Sequence, residues 1–299
     1  MAKDEERTWE MRPHISGGLS FWEKFELAKK EGRHVCVGLD PDPKRLPQHL
    51  YQEFPVVTDA IYYFLTEVVN KVGKIVLAFK LNVAFYESLG WRGVKVMEDI
   101  IRHIQDSFPN AIIILDGKRG DIGKSNGKYA RGYYEYYDVD GGTVNPYLGV
   151  GGDDALAPFF AYKDKLTFVL CLTSNKSGRD VQCIPVGCCG DNRPLYQCIA
   201  DMIVDANKYG NIGMVVGATN PVDEIQYIRH VAGASMPILI PGIGDQGGDL
   251  KAVVKYGGEN IIINSSSGII HVSTDPDFAE VARQETIKLN DEINALMVG

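Results

Sequence analysis

AIIILDGKRGDIG, residues 111–123, passes from an unbroken apolar run straight into alternating charges. A short apolar run that ends in polar residues reads as a strand, and unbroken apolarity marks a strand covered on both faces, as in a parallel sheet whose crossovers are helices. Seven more such runs follow the same rhythm, at residues 35–40, 75–82, 142–145, 166–173, 212–217, 237–241 and 260–264. Between them lie stretches with helical spacing at 56–71, 93–107, 125–137, 195–209, 221–231 and 276–297, and residues 20–31 predict a further short helix placed to close the barrel's bottom. Asn220-Pro221 and Asp275-Pro276 look like helix starts, a capping side chain followed by a proline whose missing N–H costs nothing there. Eight βα units predict an α/β fold, a single (β/α)8 barrel of the TIM type.

The 299 residues suit one such barrel, which commonly fills about 250 residues, so residues 1–299 are expected to form one domain with an N-terminal arm over 1–17. With 45% hydrophobic and 23% charged residues the chain has ample material for a core, which excludes disordered and collagen-like classes. A net charge of −8 argues against a global attraction to a nucleic-acid polymer or an anionic membrane. The basic residues Lys118, Arg119, Lys124, Lys128 and Arg131 are read as a phosphate pocket plus a solvated face. No stretch reaches the roughly 18–20 apolar residues of a membrane span, and the first residues lack a signal peptide's apolar segment, so a cytoplasmic protein is expected. Six cysteines are too sparse for a disulfide framework; the cluster Cys183, Cys188, Cys189 and Cys198 reads as free thiols, with a metal or redox site as the alternative. Segment 174–194 is too long for a mere connector and reads as a lid-like loop after the fifth strand or as a surface insertion.

In barrels of this kind ligands sit at the C-terminal ends of the strands. Asp40, Lys80, Asn82, Asp116, Lys118, Asn145, Thr173, Ser174 and Gln246 fall on those ends or just past them. Asp116 and Lys118, two apart on an extended strand, should project to one side, with Asp121 in the loop beyond. With Lys80 from the second strand, four alternating charges converge on the barrel mouth. Burying them costs several kcal/mol each unless they are mutually paired, so the set is expensive as decoration and points to catalysis.

The motifs GLDP (38–41), FKLNVAFYESLG (79–90), LDGKRGDIG (115–123), TVNPYLG (143–149), LTSN (172–175) and PGIGDQGGD (241–249) lie in strand order. Together they resemble the orotidine 5′-monophosphate decarboxylase family, in its longer bacterial and protozoan branch. The resemblance implies cofactor-independent, metal-free decarboxylation of a nucleotide, the last step of de novo pyrimidine nucleotide synthesis. It implies that Asp40 and Lys80 hold ribose hydroxyls with Asn82 close by, that Asp116 sits against the substrate carboxylate, and that Lys118 delivers a proton to C6 of the pyrimidine. It implies further that Asp121, Ile122 and Ser125 enter the partner's site in a homodimer, that Thr173 and Ser174 address base and sugar, and that Gln246 bonds the phosphate.

One position departs from the family pattern. Where an arginine that forks onto the phosphate is expected, the run Asn264-Ser265-Ser266-Ser267-Gly268-Ile269 carries Ser267. Ser266, Ser267 and the main-chain amides of 266–268 remain to hold the phosphate, with His271 and Lys176 as possible compensating groups. Two other readings stay open: a nucleotide-binding protein with impaired catalysis because of Ser267, and a keto-sugar phosphate decarboxylase. The latter needs Mg²⁺ held by carboxylates, and Lys80 stands where an acidic ligand would help.

Overall fold

A computed structural model describes residues 18–187, 192–244 and 247–298. Eight parallel strands close into a barrel in sequence order: β1 (Val35–Gly38), β2 (Ala78–Asn82), β3 (Ile112–Arg119), β4 (Gly141–Val144), β5 (Leu166–Leu172), β6 (Ile212–Val216), β7 (Ile238–Pro241) and β8 (Ile261–Ser265). The ring is sealed by β8 pairing with β1, Ile263 opposite Val35. Each strand falls within three residues of its predicted start, and the helices Val57–Val72, Gly90–Ser107, Leu195–Ala206, Val222–Ala232 and Phe278–Val298 wrap the outside. The (β/α)8 reading of the sequence is therefore the architecture of the chain.

The unbroken apolar runs resolve into two faces. Residues such as Val35, Val37, Phe79, Leu81, Ile113 and Leu115 pack outward against the helices, while Cys36, Ala78, Ile112, Ile114, Phe168, Val215, Leu239 and Ile262 form a separate inner cluster. Following the inner face toward the C-terminal end, apolar residues give way to polar ones: Ala78 to Lys80 and Asn82, Ile112 and Ile114 to Asp116, Ile262 to Asn264. The period-two alternation of a strand thus places core and chemistry on one column, separated by height.

Helix Phe21–Lys30 plugs the opposite end. Ser20 caps it with a reciprocal pair of bonds to Glu23, and Phe21, Phe25 and Ala28 insert into the inner cluster, with Phe21 edge-on to Phe168 at 6.1 Å. At the other terminus, Asn290 of the last helix accepts the N–H groups of His34 and Val35 and donates to the Ile75 carbonyl, clamping the entries to β1 and β2.

Two local expectations are corrected. Neither Asn220 nor Asp275 caps a helix with its side chain: the helices begin later, at Val222 and Phe278. Asn220 instead donates to the carbonyls of Gly217 and Thr173, where loop carbonyls offered it better partners than the helix N–H groups did. The helix expected over 125–137 runs as an α-helix over Gly123–Arg131 and ends in a π-helical turn, Gly132–Tyr136. Where it is described, the segment 174–194 after β5 holds the turns Lys176–Gly178 and Arg179–Gln182 and the antiparallel pair Pro185–Val186 with Arg193–Pro194.

Phe25 is fully buried in the plug, so Phe25→Ala is expected to cost about 3–5 kcal/mol of unfolding free energy. Urea unfolding followed by circular dichroism measures this; a loss under about 1 kcal/mol would mean the plug adds little to the barrel.

Candidate active site

A cavity of about 620 Å³ opens at the C-terminal ends of the strands. Its floor is built by Lys80 and Asn82 from β2, Asp116 and Lys118 from β3, Thr143 from β4 and Asn264 from β8, with Asp40 and Ser266 at the rim. Asp116 is the hub. One carboxylate oxygen lies 3.1 Å from Lys80 Nζ, and the other accepts from Lys118 Nζ at 2.7 Å and from the Thr143 hydroxyl at 2.7 Å. Lys80 Nζ also lies 3.8 Å from Asp40 Oδ2. Asp40 is held in turn by the Ser266 hydroxyl at 2.7 Å and the Asn82 N–H at 3.1 Å.

Burial would push the Asp116 carboxyl up, but the ammoniums of Lys80 and Lys118, with the Lys118 and Thr143 hydrogen bonds, outweigh it and hold the group far below the usual carboxylate range. Burial would likewise push Lys80 down, yet Asp40 and Asp116 overcome it and keep the ammonium charged beyond its ordinary range. The neighbouring Cys36 thiol, fully buried in the inner cluster, is pushed up to about 12 by that burial. Its place beneath the charges is structural.

Lys118 reaches the cavity by a route that strand alternation does not describe. Its φ is +46°, and the β3–β4 register shifts between Leu115 and Arg119. A bulge of this kind re-aims a side chain, and a non-glycine residue in the left-handed region is typical of sites where geometry outranks local comfort. The Lys118 N–H donates to Thr143 Oγ1 at 3.0 Å, so one threonine fixes both the backbone of the lysine and the carboxylate it meets. The Lys118 side chain is 44% exposed, against 5% for Lys80: one ammonium is locked, the other faces the cavity.

Of the residues singled out in the sequence, Asp40, Lys80, Asn82, Asp116, Lys118, Thr173, Ser174, Ser266 and Ser267 all line this cavity. Asp121, Ile122 and Ser125 do not line it. Asp121 accepts the Ile122 N–H at 2.7 Å, and the Ile122 side chain is 64% exposed. Within this chain the second carboxylate near Lys80 is Asp40, and Asp121, which the resemblance assigns to the partner's site, stays outside the cavity lining. Gln246, Cys188 and Cys189 lie outside the described residues. Cys36 and Cys171 are buried and Cys183 is half-buried, all three as free thiols, and Cys198 is buried.

Asn145 caps the turn Pro146–Leu148 and does not line the cavity. His271 is buried against Phe64, with Nε2 3.2 Å from the Asp42 nitrogen, and lies outside the cavity lining, as does Lys176. Among the described lining residues the basic side chains are Lys80 and Lys118, and the rim at Gly242, Ile243, Ser266, Ser267 and Gly268 is uncharged. Sequence reasoning missed the roles of Thr143 and Gln182. Thr143 was legible as an inward position on β4; Gln182 gave no signal.

Comparison with known proteins agrees with this geometry. A family model described as "Orotidine 5'-phosphate decarboxylase / HUMPS family" matches residues 33–275. The orotidine 5'-phosphate decarboxylase of Ralstonia pickettii (strain 12J) is 42% identical over 282 residues, which cover 92% of this chain and 98% of that protein. The solved OMP decarboxylase of Leishmania donovani superposes with a TM-score of 0.77 at 32% identity, covering 94% of this chain and 100% of that one. The UMP synthase of Leishmania donovani gives 0.78 at 33% identity over 93% of this chain, which spans 57% of the length of that synthase. On its barrel, its charged floor and these matches, the chain belongs to the orotidine 5'-phosphate decarboxylase / HUMPS family.

Proposed function

We propose that this chain converts orotidine 5′-monophosphate to uridine 5′-monophosphate and CO₂. The observation that carries the proposal is Asp116 gripped between Lys80 and Lys118 at the floor of a cavity large enough for a nucleotide. Breaking the C6–carboxylate bond leaves its electron pair on C6, a poorly delocalised carbanion. A fixed ammonium beside C6 stabilises that charge as it develops and then protonates it, and Lys118, paired at 2.7 Å yet open to the cavity, is suited to the task. Asp116, which stays ionised, disfavours the substrate carboxylate beside it and keeps Lys118 oriented. Lys80 holds Asp116 from the other side, and with Asp40 and Asn82 it presents donors and acceptors for ribose hydroxyls. Thr173 and Ser174 are assigned to base and sugar, Gln246 to the phosphate, and Ser266 and Ser267 to the rim that faces the phosphate.

Asp121, Ile122 and Ser125 support a homodimer with shared sites. Ile122, at 64%, stands exposed beyond β3, and the first turn of helix Gly90–Ser107 and the turn Pro146–Leu148 also expose Trp91, at 75%, and Tyr147, at 83%. We take these large apolar side chains left in water as the contact surface, which a two-fold arrangement would bury by exchanging equivalent residues. We take residues 1–299 to work as one domain, in the cytoplasm; among the described residues no helix is long and apolar enough to cross a membrane.

Four outcomes test these assignments. In EDTA, loss of the orotidine 5′-monophosphate absorbance should proceed and should fall by at least about a thousandfold in Lys118→Ala, given the weight carried by general acid and electrostatic terms; equal rates in both proteins remove Lys118 from the reaction. Restoring a bidentate charge-assisted contact with Ser267→Arg should raise kcat/KM by about tenfold or more, and an unchanged value means the rim already holds the phosphate fully. Mixing equal amounts of Lys118→Ala and Asp121→Ala chains should restore roughly a quarter of the sites if they are shared across a two-fold axis; proven subunit exchange with no recovery refutes sharing.

The fourth concerns pH. Because the folded-state pKa of Asp116 is depressed, the stability it contributes is present above the unfolded value near 4 and is lost as pH falls through the folded one. Removing this anion leaves Lys80 buried with Asp40 alone, so Asp116→Asn should lower Tm by a constant amount between about pH 5 and pH 8, and by a shrinking amount below about pH 4. A Tm difference that grows on acidification contradicts the ionised buried carboxylate.

A further inference from the structure

The end of β5 is tied down more tightly than a passive cavity wall requires. Thr173 donates its backbone N–H to Gln182 Oε1 at 3.0 Å, and its hydroxyl lies 2.8 Å from Gln182 Nε2. The N–H can only donate, so it fixes which end of the carboxamide is oxygen and makes Nε2 the donor to the hydroxyl. That hydroxyl passes its own proton to Asn175 Oδ1 at 2.7 Å, while Asn175 Nδ2 donates to Ser177 at 3.1 Å. With its proton and one lone pair taken, Thr173 offers the cavity a single remaining lone pair.

The surroundings hold this arrangement from two sides. Beyond β6, Asn220 donates to the Thr173 carbonyl at 3.3 Å and Thr219 to the Ser174 carbonyl at 3.2 Å. Gly217 lies so close that a β-carbon there would stand 2.6 Å from the Ser174 nitrogen. On the other side Gln182 ends the turn Arg179–Gln182, and Arg179 forks onto Glu224 of helix Val222–Ala232 with bonds of 2.9 and 2.7 Å. A β-carbon at Gly178 would fall 2.8 Å from the Thr173 hydroxyl, so the turn presses directly onto it.

We propose that Gln182 is a positioning residue that acts through Thr173, fixing its hydroxyl as an acceptor toward the cavity, and that the Arg179–Glu224 fork latches the turn that carries it. The site therefore selects a ring that presents an N–H at that point, such as a pyrimidine imide, over one whose ring nitrogen is an acceptor, such as cytosine. This rests on the reading of the cavity as a pyrimidine nucleotide site.

Calorimetric titration of uridine and cytidine monophosphates into the parent, Gln182→Ala, Thr173→Val and the double variant tests it, beside steady-state kinetics on orotidine 5′-monophosphate. Losing the positioned acceptor should weaken uridine monophosphate by about tenfold while cytidine monophosphate changes by less than about twofold, so the ratio of the two collapses. KM for orotidine 5′-monophosphate should rise by more than kcat falls, and the double variant should be no worse than Thr173→Val, as expected for residues that act through one another. An unchanged nucleotide ratio in Gln182→Ala, or losses that add fully in the double variant, overturn the proposal. If Gln182→Ala does not fold, Glu224→Gln breaks the fork outside the cavity and should lower uridine monophosphate affinity about threefold; unchanged affinity there overturns the latch. A parent that binds uridine monophosphate selectively without turnover defeats the decarboxylase reading and leaves this one standing. Binding with no selectivity, or no binding of either nucleotide, defeats this one.

Discussion

Everything in the cavity is arranged around one carboxylate that cannot shed its charge. Asp116 is buried, and an isolated buried carboxylate would take up a proton; two ammoniums and a threonine hydroxyl prevent that. The arrangement is balanced by count: Lys80 and Lys118 against Asp116 and Asp40. A balanced array can be kept away from water, whereas removal of any member leaves an uncompensated charge. The same balance makes the site responsive, because an anionic substrate group brought beside Asp116 upsets it locally.

The barrel supplies the rigidity this needs. Inner-face residues change from apolar to polar or charged two positions on along β2, β3 and β8, so the charged layer rests on a packed hydrophobic one and on the helix that plugs the far end. Side chains that rise from such a layer have few alternative rotamers, and electrostatic stabilisation depends on groups that do not have to reorganise. The strain at Lys118 belongs to the same design. Its left-handed backbone is held by Thr143 on the adjacent strand, which also holds Asp116.

The two ends of the cavity differ in kind. Around Thr173 the wall is dense with directed hydrogen bonds, from Gln182 above and Asn220 below. Around Ser266, Ser267 and Gly268 the described rim is uncharged. The first end is fixed by directed bonds, whereas the described part of the second presents hydroxyls and main-chain groups without a charge.

The fold was legible in the sequence because a buried parallel strand must be apolar on both faces. Runs such as Ala111–Leu115 and Asn260–Ile263 have no other comfortable place, and all eight became strands. Lys80, Asp116 and Lys118 were legible for a related reason: charges at the ends of such runs are too costly to bury without a purpose. Residues whose meaning comes from partners distant along the chain were not legible. That Asp40 meets Lys80 and the Ser266 hydroxyl together is set by β1 lying between β2 and β8, its neighbours on either side in the closed ring. Asn220 serves the carbonyls of Thr173 and Gly217, just past β5 and β6, rather than its own helix, and Gln182 reaches back nine residues to Thr173. Sequence determined which residues had to be buried, because hydrophobic periodicity is local. The tertiary structure alone decided which polar groups meet, because a hydrogen bond is set by distance and direction in space and not by position along the chain.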